Sequence, residues 1–149
     1  MTQTTSAFNA CDASIWLDDA TGTLRDISGS SNNTEVNFDH DVEAFVTYQS
    51  KWPKRLECGK DAQFTLHVIF SEDANEGHDI LKDWFFAAAP GARSLSIYLP
   101  DKNVGSDHFS CEARIKSYNF SADRGTAAPI MGVAVLLPDG AVSHSDTAT

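Results

Sequence analysis

The chain of 149 residues carries 21 acidic against 11 basic side chains, a formal net charge of −10. That length fits one domain able to bury its own core without metal or disulfide staples, and the charge argues against tight, unaided binding to nucleic-acid phosphates. Three widely spaced cysteines, Cys11, Cys58 and Cys111, give no basis for a disulfide framework or a zinc knuckle and read as reduced packing thiols; no run approaches the ~20 apolar residues of a membrane helix.

In chain order, the opening "MTQTTSAFNACDAS" is polar and has neither the basic start nor the apolar stretch of a secretion signal. Residues 1–13 are expected to be a flexible segment, or an arm that orders across a neighbouring subunit, and a domain is expected over 14–142. "SIWLD" is its first strand candidate, followed by "EVNFD" and "VEAFVTYQ", with Gly, Pro, Asn and Asp punctuating the turns. "FDHDVE" crowds Asp39, His40, Asp41 and Glu43 together. Such oxygen-rich clusters hold calcium where a turn makes them converge, but strand alternation would send His40 to the face opposite Asp39 and Asp41. A solvated acidic turn without metal is expected. Glu35, Asp39, Asp41 and Glu43 have no Lys or Arg among them, whereas Lys51, Lys54, Arg55 and Lys60 follow as a basic group. The layout fits a solvated hairpin within one chain, or complementary patches that meet head to tail between identical copies. Trp52-Pro53 in the basic loop has the character of an interface anchor, or of a ring tucked against its own core.

"AQFTLHVIFS" places Phe64, Leu66, Val68 and Phe70 on one face and Thr65, His67 and Ser71 on the other, a half-buried strand. "NEGHDILKDWFFAAAPG" breaks the rhythm. Ile80, Leu81, Trp84, Phe85 and Ala88 recur at helical intervals, with Asn75 or Asp73 as cap and Pro90-Gly91 as stop. The pattern predicts one amphipathic helix whose core face holds Ile80, Leu81, Trp84 and Phe85. Glu76, Asp79 and Asp83 suit its early turns or polar face. "SLSIYLP" and "FSCEARI" are further strands. In the second, Phe109, Cys111, Ala113 and Ile115 share a face before Tyr118 and Phe120 switch the apolar parity, which predicts a bulge or twist near Ser117. "IMGVAVLL" closes the series, and residues 143–149 are expected to be flexible. The sum predicts a mainly β fold, a sandwich or barrel with one flanking helix.

Catalytic spacing is missing: the sequence has no GxSxG elbow, HExxH, CxxC, GxGxxG or Gly-rich phosphate loop, and "ECGKD" lacks the flanking residues of a P-loop. His67, His78, His108 and His144 are isolated from one another, as structural histidines usually are. No enzyme, catalytic residue, metal or cofactor is expected.

The order of these motifs resembles the major tail tube proteins of long-tailed, siphovirus-like bacteriophages. "SIWLDDATGTLRDIS" is similar to that family's opening strand and Gly turn, and "WPKRLECGKDAQFTLHVIF" to the long loop that returns into a core strand. "GHDILKDWF" matches the position of its single helix, and "ARIKSYNFSADRGTAAPIMGVAVLLPDG" with "PDGAV" resembles its closing hairpin and terminal turn. The resemblance runs from Ser14 to Val142. It implies a β-sandwich or barrel subunit with a flanking helix, forming hexameric rings whose inner strands make one continuous barrel and which stack into the virion's tail tube. Its partners would be itself and other tail proteins such as the tape measure and terminator, with synthesis in the bacterial host cytoplasm and no membrane contact. Double-stranded DNA would pass without tight binding during genome ejection, because a net-negative lumen repels a duplex carrying a phosphate every ~1.7 Å. On this reading Glu35, Asn37 and Asp39 are lumen candidates, with Glu112, Arg114 and Lys116 as a second polar strand face. Lys51, Trp52, Lys54 and Arg55 would touch the next ring. Alternatives are a tail terminator or secretion-needle tube protein, and a small-ligand-binding β-barrel with an enclosed apolar cavity.

Overall fold

The computed structural model describes residues 11–125 and 127–148. Its elements are β1 (Ser14–Asp18), β2 (Leu24–Asp26), a 3-10 turn (Ser28–Ser30), β3 (Ser31–Phe45), β4 (Lys54–Ile69), α1 (Gly77–Phe86), β5 (Arg93–Leu99), β6 (Asp107–Ser121), β7 (Met131–Pro138) and β8 (Ser143–Asp146). The strands form one 8-stranded sheet in the order β2-β1-β5-β6-β7-β4-β3, with β8 beside β6, and every pairing is antiparallel. A mainly β fold with a single helix is what the alternation pattern predicts.

Alternation decides which face is buried. Phe64, Leu66 and Val68 of β4 lie opposite Leu136, Ala134 and Gly132 of β7, while Ile15 and Leu17 of β1 meet Ile97 and Leu95 of β5. Together with Ile80, Leu81 and Trp84 of α1 they make one core cluster. In β6 the register shifts between Ile115 and Ser117, leaving Lys116 as the extra residue. The shift lets Ala113 and Ile115 on one side of it, and Tyr118 on the other, all contribute to the core despite the change of parity.

The helix docks through a close backbone approach. The N–H of Gly77 donates to the buried Ser30 hydroxyl at 3.0 Å, and a Cβ at this position would lie 2.8 Å from that oxygen. Its N-cap is Glu76 rather than Asn75 or Asp73; Asn75 takes φ +62° and its N–H donates to the Asp79 carboxylate at 3.0 Å. The Trp84 indole donates to the Gly91 carbonyl at 2.8 Å. Phe85, expected on the core face, is 39% exposed and packs edge-on against Phe86. The buried stripe is Gly77, His78, Ile80, Leu81 and Trp84, so Phe85 falls at its margin in the final turn, and Ala88 lies beyond the helix end.

Other expectations change. "FDHDVE" lies within β3 and is not a turn, because the strand runs on beside β4 on both sides of a register shift at Asp41, as in Asp39 with Asp61, His40 with Lys60 and Val42 with Glu57. The two strand candidates on either side of it are therefore one strand, and the basic segment expected as a loop is half strand, since β4 starts at Lys54. Within 143–149, expected to be flexible, Ser143–Asp146 pairs with the start of β6, and the Thr147 N–H donates to the Ser106 carbonyl at 2.8 Å. Of the expected flexible segment 1–13, residues 1–10 lie outside the described residues. Cys11 and Cys58 are exposed rather than packed, and Cys111 is half-buried.

Candidate assembly surfaces

The β3–β4 hairpin is longer than the sheet that carries it. β3 pairs β4 from the base to Phe45 opposite Lys54, whereas β7 supports β4 only from Phe64 to Ile69. The outer half of the hairpin is thus a two-stranded ribbon with almost no buried side chain beyond Ala62. Its far end exposes Phe45, Val46, Tyr48, Trp52 and Leu56 beside Lys51, Lys54 and Arg55. Trp52 is 81% exposed, so it is not tucked against the core of its own chain. Among the described residues, none of Lys51, Lys54, Arg55 and Lys60 enters an ion pair.

Register places the other polar candidates. Glu35, Asn37 and Asp39 share the face of β3 turned away from the core and lie opposite Thr65, Gln63 and Asp61 of β4. The same face continues through Val133 and Val135 of β7 to Ser117 and Asn119 of β6. Glu112 and Arg114, which precede the bulge, also point away from the core. Glu112 accepts from the Ser94 hydroxyl, and Arg114 pairs with Asp139 at 2.9 Å. Lys116 sits at the bulge itself. His67 Nε2 approaches Glu35 at 3.8 Å on this face. The β3 trio and the β6 set are therefore brought to one side of the sheet, at opposite edges of β3, β4, β7 and β6.

Those edges are unpaired. β3 has a strand on one side only, and β5 covers β6 only as far as Ala113, leaving the outer edge of β6 from Arg114 to Ser121 open among the described residues. Two long open edges flank four consecutive strands, each offering a row of free N–H and C=O groups to another chain.

The interior is filled rather than hollow: Trp84, Phe64, Leu17, Ile27 and Leu66 are among its fully buried side chains. A buried polar link ties the helix to the sheet, with His78 Nδ1 and the Tyr118 hydroxyl sharing a hydrogen bond. Burial holds the His78 pKa below its usual value and pushes the Tyr118 hydroxyl up to about 12. Sequence spacing gave no sign of this pair, because its members are far apart in the chain. Asp19 is a second knot. Its carboxylate accepts from the Thr21 hydroxyl, the N–H groups of Thr21 and Thr23, and the Arg25 guanidinium, which hold it well below the usual carboxylate range. Both arrangements satisfy polar groups within the fold. Burial also pushes the Cys111 thiol up to about 11, far from a reactive thiolate at neutral pH.

No protein-family model matches the chain, and no curated protein sequence does. Solved structures do match. A chain from the tail of an empty GTA particle, refined with C6 symmetry, superposes with a TM-score of 0.73 at 16% identity, covering 93% of this chain and 99% of that one. The fold is the tail tube fold. The SPP1 tail tube shares it, with a TM-score of 0.71 at 12% identity over 94% of this chain and 80% of its own. So does the tube-terminating cap of the anti-feeding prophage, with a TM-score of 0.74 at 12% identity over 98% of this chain and 95% of the cap chain. Within the tail tube fold of this chain, the open strand edges and the exposed ribbon are the parts that its own core leaves unused.

Proposed function

We propose that this chain is a structural subunit of a phage-type tail tube, built from stacked hexameric rings and acting as a conduit for double-stranded DNA at genome ejection. The observation that carries the reading is the pair of open edges on β3 and on Arg114–Ser121 of β6. If the β3 edge of one protomer pairs with the β6 edge of the next, the four strands become part of a closed barrel and neither edge remains exposed. The face bearing Glu35, Asn37, Asp39 and Asp61 then lines the lumen, with Glu112, Arg114 and Lys116 near its rim. The acidic side chains repel DNA phosphates, which favours passage over adhesion. The ribbon end with Lys51, Trp52, Lys54 and Arg55 reaches the adjacent ring, where a desolvated aromatic among charges suits an anchor. The chain performs no catalysis in this role. Other tail proteins, including a tape measure and a terminator, complete the assembly in the virion.

The test is electron microscopy of the purified protein at rising concentration, with the rotational symmetry counted. Hollow six-fold tubes with a channel wide enough for duplex DNA are expected; compact monomers at every concentration, even with purified tail-tip complexes added as initiators, would sink the proposal. Likeness to a tube-terminating cap supports a second reading, in which the chain caps a tube. Single rings that never stack, yet bind the end of a preformed tube, would select it.

A further inference from the structure

Away from the lumen and ribbon, three metal-ligating side chains meet where β8 joins β6. One ligand atom from each of Asp107, His144 and Asp146 lies within 4.8 Å of the others. Strand register explains the meeting. Asp107 is directly opposite Asp146, and Phe109 is directly opposite His144, so alternation turns all four side chains the same way. The His144 ring stacks on Phe109 with centroids 5.0 Å apart, so an apolar neighbour outside the ligand set orients the imidazole. Its Nε2 is 3.0 Å from Asp107 Oδ1.

Charge supplies a separate argument. Two carboxylates directly opposite one another on paired strands repel. Among the described residues no Lys or Arg forms an ion pair with either Asp107 or Asp146. This joint therefore brings together two negative groups without a fixed positive partner, beside an imidazole whose orientation is already set.

We propose that Asp107, His144 and Asp146 form a site for a first-row divalent transition-metal ion, with zinc as its probe. One imidazole nitrogen and two carboxylates are a mixed N/O set suited to such ions, whereas Ca2+ favours all-oxygen sites with more ligands. Bonds of about 2.0–2.2 Å place neighbouring donors of a tetrahedral site about 3.3–3.6 Å apart. The 3.0 Å pair need open only slightly. The His144 and Asp107 side chains are each 56% exposed and Asp146 is exposed as well, which gives the ligands room to close on an ion and leaves water free to take the remaining position. Neutral His144 coordinates through Nε2 with its proton on Nδ1. The ion joins β8 to β6, and so fixes a terminal strand whose 4 residues are all exposed.

The full chain is titrated calorimetrically with ZnCl2 at pH 7.5, and separately with CoCl2 while the visible spectrum is recorded. The expected result is one ion per chain, affinity at least tenfold weaker in His144→Ala and Asp146→Asn, and cobalt bands without thiolate charge transfer. Hydrogen exchange over residues 143–147 should slow on adding zinc and recover with chelator. Absence of saturable binding to the wild-type chain overturns the proposal regardless of how the variants fold. Wild-type affinity in both variants overturns it too, as do thiolate bands, which place the metal at the exposed Cys11 or Cys58 instead.

Discussion

Gly132 offers a sharp test of how the sheet is packed. It lies on β7, and a Cβ at this position would sit 2.6 Å from the Tyr118 hydroxyl oxygen, 2.8 Å from Cε2 and 3.0 Å from Cζ. Gly132→Ala must therefore push the ring aside. The hydroxyl is bonded to His78, which is only 3% exposed, so the shift also leaves a buried imidazole nitrogen without its partner. Overpacking costs about 1–3 kcal/mol and an unsatisfied buried polar group about 1–3 kcal/mol. Replacing glycine in a strand returns about 0.5–1 kcal/mol. The mid-range sum is a loss of about 2–4 kcal/mol, or about 4–16 °C in Tm for a domain of this size. Urea titration followed by tryptophan fluorescence measures it. In a Tyr118→Ala background the obstruction is gone, and the same substitution should be neutral or stabilising by about 0.5–1 kcal/mol. An equal cost in both backgrounds, or no cost in the wild type, would refute the packing argument.

Trp84→Ala should be the most damaging change in the helix, at about 3–5 kcal/mol, because the side chain is fully buried and its indole N–H is spent on Gly91; a loss under about 1 kcal/mol in denaturant titration contradicts that. Acidification should destabilise the fold through His78. Its folded pKa is depressed below the unfolded value of 6.5, so the unfolded chain takes up the proton first. This contribution is complete above pH 6.5 and shrinks as pH falls towards the folded pKa; a stability–pH slope between 7.5 and 5 that persists unchanged in His78→Gln counts against the assignment. The paired reversal Lys54→Glu with Arg55→Glu should leave monomer stability within about 0.5 kcal/mol, since both side chains are exposed and outside any ion pair. It should shorten or abolish tubes in electron micrographs, and tubes of normal length would remove the ribbon from the stacking role.

Legibility in the sequence followed the source of each element's stability. β1, β5 and β7 were readable to within a residue or so, because each buries one face between turn residues. The bulge in β6 was readable too, as a change of parity between Ile115 and Tyr118. The continuity of β3 across His40-Asp41 and the whole of β8 were not. Their side chains are exposed, so what holds them is backbone pairing with a partner distant in sequence, and no local pattern encodes it. For the same reason the acidic run in β3 read as a turn. The His78–Tyr118 pair was hidden by separation along the chain, and Phe85 by the assumption that every apolar position in a short helix finds something to cover it. Among the surface candidates, the polar residues of β3 and β6 could be proposed from alternation, but their shared side of the sheet and the open edges beside them emerge only from the register.

The extra residue at Lys116 has a genetic corollary. Side chains along β6 are read in two frames, one for Asp107–Ile115 and another for Ser117–Ser121, and the bulge is the frame boundary. Removing Lys116 would merge the frames. The faces would stay as they are, because Ile115, Ser117 and Tyr118 already lie opposite the consecutive residues Leu136, Val135 and Ala134, so loss of this one codon leaves the packing in frame. Length changes in descendants of this sequence should therefore collect at position 116 and in the connections 46–53 and 122–130, while the rest of β6 diverges by substitution.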